Sequence, residues 1–261
     1  MDAYTSFAEV YDEFMDNVPY EEWLGFILDR LDEYGISSEK DGDKTILCEL
    51  GCGTGTMTRL LVKCGYDMIG IDNSADMLDI AREYEYEEEN GILYLLQDMR
   101  EFELFGTVAA IVSVCDSINY VTDPRMILDT FKLANNYLEA EGIFIFDIHP
   151  REYYKRLGTQ TFAEDREDIS FIWDNSYDDS SRINEYNLKL FMMRDDGLYE
   201  KFEETHYQYG YEIDQLLSLI EEAGMKVLKV YGGYDGSEPT EASDRIVIIA
   251  GEKHKEGKLY I

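Results

Sequence analysis

The chain is short of basic residues, proline, cysteine and histidine, and it has no long apolar run. Lys and Arg number 23 against 56 Asp and Glu, a formal net charge of −33. A surface of that sign repels phosphate backbones and anionic bilayers, which argues against a nucleic-acid substrate held by bulk electrostatics and against membrane docking. No apolar stretch approaches the roughly 20 residues needed to cross a bilayer. The opening Met1-Asp2-Ala3-Tyr4 lacks a basic segment followed by an apolar one, so no signal peptide is expected. Cys48, Cys52, Cys64 and Cys115 form no C-x-x-C pair, and His149, His206 and His254 are scattered, so no metal site is expected. This cysteine usage fits a reducing compartment, hence a cytoplasmic location. What is present is a chain of 261 residues with 45% hydrophobic content. That is too apolar for a disordered acidic segment and long enough for one large domain or a domain with an insertion.

The patterning along the chain predicts alternating elements. Residues 5–34 read as two helices: Phe7, Val10, Tyr11 and Phe14 recur at helical spacing, and Pro19 is placed to open the second helix at its first turn. Residues 35–44 read as a polar connection. Short apolar strands are expected at 45–50 (TILCEL), 67–71 ending at Asp72, 92–97 ending at Asp98, 107–114 and 142–148. Helices are expected between them: 56–64 stopped by Gly65, one from Ala75 capped by Ser74, and one opened by Asp123-Pro124 and running to Leu138. Strands alternating with helices imply parallel βαβ units, and near-continuous apolar strands imply a sheet covered on both faces. Residues 150–211 break the rhythm with three polar and aromatic strands at 169–177, 182–193 and 198–209, joined by turns at 178–181 and 195–197. The α/β pattern returns with a helix at 213–223 and closing strands at 225–231 and 245–250.

The informative unit is Glu49-Leu50-Gly51-Cys52-Gly53-Thr54-Gly55, directly after the first strand. Glycines there let backbone approach a ligand and allow positive φ. A parallel sheet binds ligands at the carboxyl ends of its strands. A dinucleotide fingerprint needs G-x-G-x-x-G, but the sixth position from Gly51 is Thr56; a nucleotide P-loop needs Gly-Lys-Ser/Thr, which is missing. An acid before the loop suits a ligand with an amine and a sulfonium better than a pyrophosphate.

Residues 46–58 (ILCELGCGTGTMT) resemble the first motif of class I S-adenosylmethionine-dependent methyltransferases. The segment from Tyr11 to Met15 and from Pro19 to Trp23 resembles the amino-terminal cap of a bacterial subgroup, the YqeM-type methyltransferases. The resemblance covers most of 4–150 and 206–250 and is weak across the insertion. It implies an α/β fold: a Rossmann-like, doubly wound class I methyltransferase sheet with an antiparallel β insertion. Residues 1–149 and 212–261 would form the cofactor-binding domain with its helical cap, and 150–211 the substrate cap. The implied cofactor is S-adenosyl-L-methionine. By the same resemblance, Gly51, Cys52 and Gly53 pack against its methionine part and Glu49 orients its amino group. Asp72 and Asn73 take the ribose hydroxyls, Met77 packs on adenine, and the segment Gln97-Asp98-Met99 reads the adenine edge through Asp98 and Met99. Cys115 lies in the segment after the fourth strand (Cys115 to Tyr120), which resembles that of small-molecule members. Tyr11 and Tyr20 are expected near the cofactor, with Tyr4 and Trp23 as further candidates for a lid. Ordinary roles stay open beside these: a tight turn for the glycines, a helix charge for Glu49, a helix cap for Asp98, core packing for Met77 and Trp23.

Methyl transfer is an in-line displacement with a good leaving group, so alignment and desolvation dominate. An amine nucleophile has only to arrive neutral, whereas a hydroxyl gains from a base. Asp116, His149 and His206 are the catalytic candidates at the strand-end rim; His206 lies in Thr205-His206-Tyr207-Gln208-Tyr209, which resembles a stretch where related small-molecule methyltransferases place a substrate-facing histidine. The expected acceptor is a small molecule with an N or O nucleophile; the oligomeric state is not legible. A cofactor-binding regulatory or assembly protein is the alternative, with RNA or protein methylation behind it.

Overall fold

The computed structural model describes residues 11, 12, 15–194 and 196–253. The expected first helix falls largely outside them: Tyr11 and Asp12 are helical, while Tyr4, Phe7, Val10 and Phe14 are not described, nor is His254. The elements in order are α1 (Tyr20–Glu33), β1 (Glu39–Lys40), β2 (Asp43–Lys44), β3 (Ile46–Leu50), α2 (Thr56–Lys63), β4 (Asp67–Asp72), α3 (Ala75–Glu88), β5 (Leu93–Leu96) and β6 (Val108–Ser113). A 3-10 turn (Ser117–Tyr120) leads to α4 (Ile127–Tyr137), β7 (Leu138–Ile148), α5 (Arg151–Leu157), β8 (Gln160–Asp165), β9 (Ile169–Asp178), β10 (Ile183–Met193), β11 (Tyr199–Tyr209), α6 (Ile213–Glu222), β12 (Lys226–Tyr231) and β13 (Ile246–Gly251).

The main sheet has the order β12-β13-β7-β6-β3-β4-β5. The run from β7 to β5 is parallel, and β13 lies antiparallel between β7 and β12. Successive strand residues feed opposite faces, as a period of two requires. Leu47, Ala110, Val112 and Ile145 join α1, α2 and α3 in one core; Cys48, Leu50, Ile111 and Phe146 join α4 and α6 in the other. This is the doubly wound α/β arrangement that apolar strands demand. Among the described residues, no helix is long and apolar enough to cross a membrane.

Several expectations change in detail. Pro19 stands at the N-cap of α1, where its carbonyl accepts from the Glu22 and Trp23 amides. The polar stretch before β3 folds into the β1–β2 hairpin on Asp41-Gly42, both at positive φ (56° and 93°), which is the Asp-Gly turn signal in a place read as a plain connection. Ser74 caps α3 as expected, accepting from the Met77 amide. α4 starts at Ile127 because the Asp123 carboxylate takes the Arg125 amide and guanidinium and holds a turn there instead. The break at 150–211 begins with a helix, α5, and its sheet has four antiparallel strands in the order β11-β10-β9-β8. β8 escaped sequence reading because all six of its residues are exposed, leaving no apolar alternation.

Candidate active site

The glycine turn after β3 is tied to the end of β4: the Gly51 and Cys52 amides both donate to the Ile71 carbonyl, at 2.8 and 3.0 Å. Gly51 has φ +71°, and a Cβ there would lie 2.6 Å from the Ser117 Cβ. Gly53, at φ +54°, is different: a Cβ on it would meet nothing within 4 Å, so bare backbone faces open space. Its amide donates to Asp72 Oδ2 at 2.8 Å, and the Ser74 amide donates to Oδ1 at 2.8 Å. Burial pushes the Asp72 carboxyl up, against the pull of these backbone donors.

A cleft of about 410 Å³ opens at the carboxyl ends of β3, β4, β5 and β6. It brings together Tyr11, Gly51, Gly53, Asp72, Asn73, Met77, Asp98, Met99, Cys115 and His206 from the expected set. Asp98 is gripped by Arg100, whose Nε lies 2.8 and 3.0 Å from its two oxygens; the guanidinium holds that carboxyl below its usual range. Cys115 and Asp116 both adopt positive φ (57° and 50°), a costly pair of conformations for non-glycine residues that turns the chain at the rim.

Five expected residues do not line the cleft. Glu49 lies beneath the turn, 1% exposed, and accepts from the Thr58 hydroxyl; burial pushes its carboxyl up to about 8, with Asp72 adding to the rise. The Cys52 side chain is in the helix-side core, and burial raises its thiol. Tyr20 sits behind Cys115, whose thiol donates to its hydroxyl at 3.4 Å; burial pushes that thiol up to about 12. Asp116 is held by Gln208 Nε2 at 2.6 Å and by the Arg245 guanidinium at 3.0 Å, and Arg245 also pairs with the buried Asp147. His149 has both ring nitrogens engaged: Nε2 with the Arg245 guanidinium at 3.1 Å and Nδ1 with the Asp244 carbonyl at 2.6 Å. A guanidinium only donates, so Nε2 accepts and Nδ1 donates. The ring also stacks on Tyr153, centroids 4.0 Å apart, which makes His149 a tie between elements.

His206 is 6% exposed, with Nε2 3.1 Å from Glu204 Oε2. Sequence reasoning missed Arg100, Val121 and Thr122 on the cleft wall, read Ser74 only as a helix cap, and gave no individual role to Gln97, Ser117, Tyr120, Thr205 and Tyr207. All five lie in segments the sequence singled out: Gln97 beside Asp98, Ser117 and Tyr120 in residues 115–120, and Thr205 and Tyr207 beside His206 on the edge strand β11.

Residues 47–142 match the family model described as a methyltransferase domain. A protein of Geobacillus sp. (strain WCH70) named as a methyltransferase is 34% identical over 249 residues, covering 95% of this chain and 99% of its own length. The protein named YqeM of Bacillus subtilis (strain 168), also named as a methyltransferase, is 33% identical over 249 residues, covering 95% and 96%. Among solved structures, an S-adenosylmethionine-dependent methyltransferase from Clostridium acetobutylicum superposes with a TM-score of 0.85 at 24% identity, over 97% of this chain and all of that one. A sugar N-methyltransferase from Streptoalloteichus sp. shares the fold at a TM-score of 0.74 and 15% identity, over 94% and 93%. Fold, glycine turn and relatives together define an S-adenosylmethionine-dependent methyltransferase, with S-adenosylmethionine as its methyl donor. The chain belongs to the YqeM-type family of these enzymes.

Proposed function

We propose that the protein moves the methyl group to a nitrogen or oxygen of a small molecule held between the cleft and the 150–211 insertion. The observation that carries this is the composition of the cleft wall: Gly51, Gly53, Asp72 and Asp98 on the sheet side, and Thr205, His206 and Tyr207 of β11 on the other. On this reading residues 1–149 and 212–261 hold the cofactor and 150–211 cap the acceptor. The sugar N-methyltransferase with the same architecture supports a small acceptor, and the net charge of −33 weighs against RNA. Four free cysteines support a cytoplasmic location.

The residues fit the cofactor. Open space beside Gly53 leaves its backbone bare to a ligand, and Asp72 sits at the end of β4 already oriented by two amides. Asp72 and Asn73 take ribose hydroxyls; Asp98 and Met99 take the adenine edge, with Met77 packed beside it. Glu49, buried beneath the turn with no ion pair among the described residues, answers the amino group through that turn. When bound, S-adenosylmethionine supplies a methyl group on a positively charged sulfur. Tyr11 and Cys115 exclude water from that end of the cleft, and Tyr20 buttresses Cys115. Asp116 and His149 position the rim through Arg245, and His206 faces the acceptor.

Calorimetry with S-adenosylhomocysteine tests the cofactor site: binding in the micromolar range is expected, and none at high micromolar ligand would overturn the reading. Labelled S-adenosylmethionine incubated with a cell extract tests the acceptor class. Label should collect in the small-molecule fraction; label confined to protein or RNA would sink the small-acceptor assignment.

A further inference from the structure

Five rings touch in a row from the outer strand of the insertion to the mouth of the cleft. Phe162 of β8 packs on Trp173 of β9 (centroids 5.6 Å apart), Trp173 on Tyr186 of β10 (4.9 Å), Tyr186 on His206 of β11 (4.9 Å, planes within 18°), and His206 on Tyr120 (6.0 Å). Strand register builds the row, since Phe162 pairs with Trp173 and Tyr186 with His206. Its outer end is open to solvent, with Phe162 38% exposed; its inner end, His206 and Tyr120, lines the cleft.

Packing alone does not explain the polar atoms beside this row. Glu204 lies two residues from His206 on the same side of β11 and is 5% exposed. One oxygen meets His206 Nε2 at 3.1 Å; the other, Oε1, is buried with no hydrogen-bond partner among the described residues, as is Trp173 Nε1. Among the described residues no Lys or Arg pairs with Glu204. Of the other carboxylates near the cleft, Asp98 is paired with Arg100 and Asp116 with Arg245, while Asp72 is held by two backbone amides. A buried carboxylate whose partner among the described residues is an imidazole rather than a fixed cation is costly while that ring is neutral, and a cation brought by a ligand offsets that cost.

We propose that the aromatic row is the acceptor track and that the acceptor is a ring-bearing amine. Its body lies along the rings, and its nitrogen reaches the cleft beside His206, in the field of Glu204. This rests on the methyl-transfer reading above. Aromatic faces attract ammonium groups, and a buried carboxylate favours an amine over the hydroxyl of the same skeleton. The ammonium gives one proton to the Glu204–His206 pair. The freed lone pair forms the N–C bond as the methyl C–S bond breaks, the electron pair of that bond stays on sulfur, and the proton leaves to water.

The experiment is calorimetry on the full chain saturated with S-adenosylhomocysteine, titrated with two matched pairs: glucosamine against glucose, and tyramine against tyrosol. In at least one pair the amine should bind about tenfold more tightly than its hydroxyl partner, and the pair that binds distinguishes a sugar body from an aryl body. In Glu204→Gln that preference should vanish while S-adenosylhomocysteine affinity is unchanged. Equal affinities within both pairs, binding by neither amine, or a preference that survives in Glu204→Gln would overturn the proposal. The comparison within pairs uses the unaltered chain, so it stands even if Glu204→Gln does not fold. Failure of S-adenosylhomocysteine itself to bind would instead strike the methyl-transfer reading.

Discussion

In the main sheet β6 and β13 are buried at every position, whereas β8 of the insertion is exposed at every one. The first environment admits only small and branched apolar residues, so its sequence is constrained by packing. The second leaves side chains open to choice, with the inward residues Glu204, His206 and Gln208 set among outward ones on β11. The difference teaches that the cleft's sheet side is built on a rigid, apolar scaffold, and that on the proposed reading acceptor recognition falls to the sheet with freer side chains.

Four substitutions sharpen or break that contrast. Phe146→Ala, at a fully buried site in β7 among Phe131 and Phe144, should lower unfolding free energy by about 3–5 kcal/mol in urea melts. Asp72→Ala should weaken S-adenosylhomocysteine by about 100-fold in calorimetry, since it removes a carboxylate and frees the Gly53 amide, yet leave Trp173 fluorescence unchanged. A change in both signals would show that the two regions are not separable. Glu49→Gln addresses pH. Burial raises the folded carboxyl from 4.5 to about 8, so its protonated form is fully compatible with the fold below 4.5, the folded state holds a proton that the unfolded chain has lost between 4.5 and about 8, and stability falls as pH rises across that window. The wild-type melting temperature should therefore fall between pH 5 and pH 9, and Glu49→Gln should flatten the fall; an unchanged slope would refute the assignment. Phe162→Ala, in β8, should cost less than about 1 kcal/mol by the same urea melts.

The legible part of the sequence was the part where backbone geometry and chemistry coincide. Gly51, Gly53, Asp72 and Asp98 follow strand ends, and strand ends are where a parallel sheet opens its cleft, so their meeting on one wall follows from local pattern. Glu49 and Cys52 were placed with them by motif, but alternation along β3 and the turn sends both side chains beneath the surface. His149 read as a free base because its partners, Asp244 and Arg245, lie nearly a hundred residues downstream. Glu204 and the aromatic row were invisible for the same reason: their meaning depends on cross-strand register over four strands, which a linear pattern does not encode.

Asp116 accepts from Gln208 and Arg245, which lie 92 and 129 residues away from it in the chain. The insertion is therefore not an interchangeable module. Transplanting another sheet into its place would leave Asp116 with Arg245 and its second oxygen without the Gln208 donor, unless the newcomer brought an amide to that position. A change of acceptor is thereby constrained: neighbouring positions on β11 can be altered without touching Asp116, whereas Gln208 cannot.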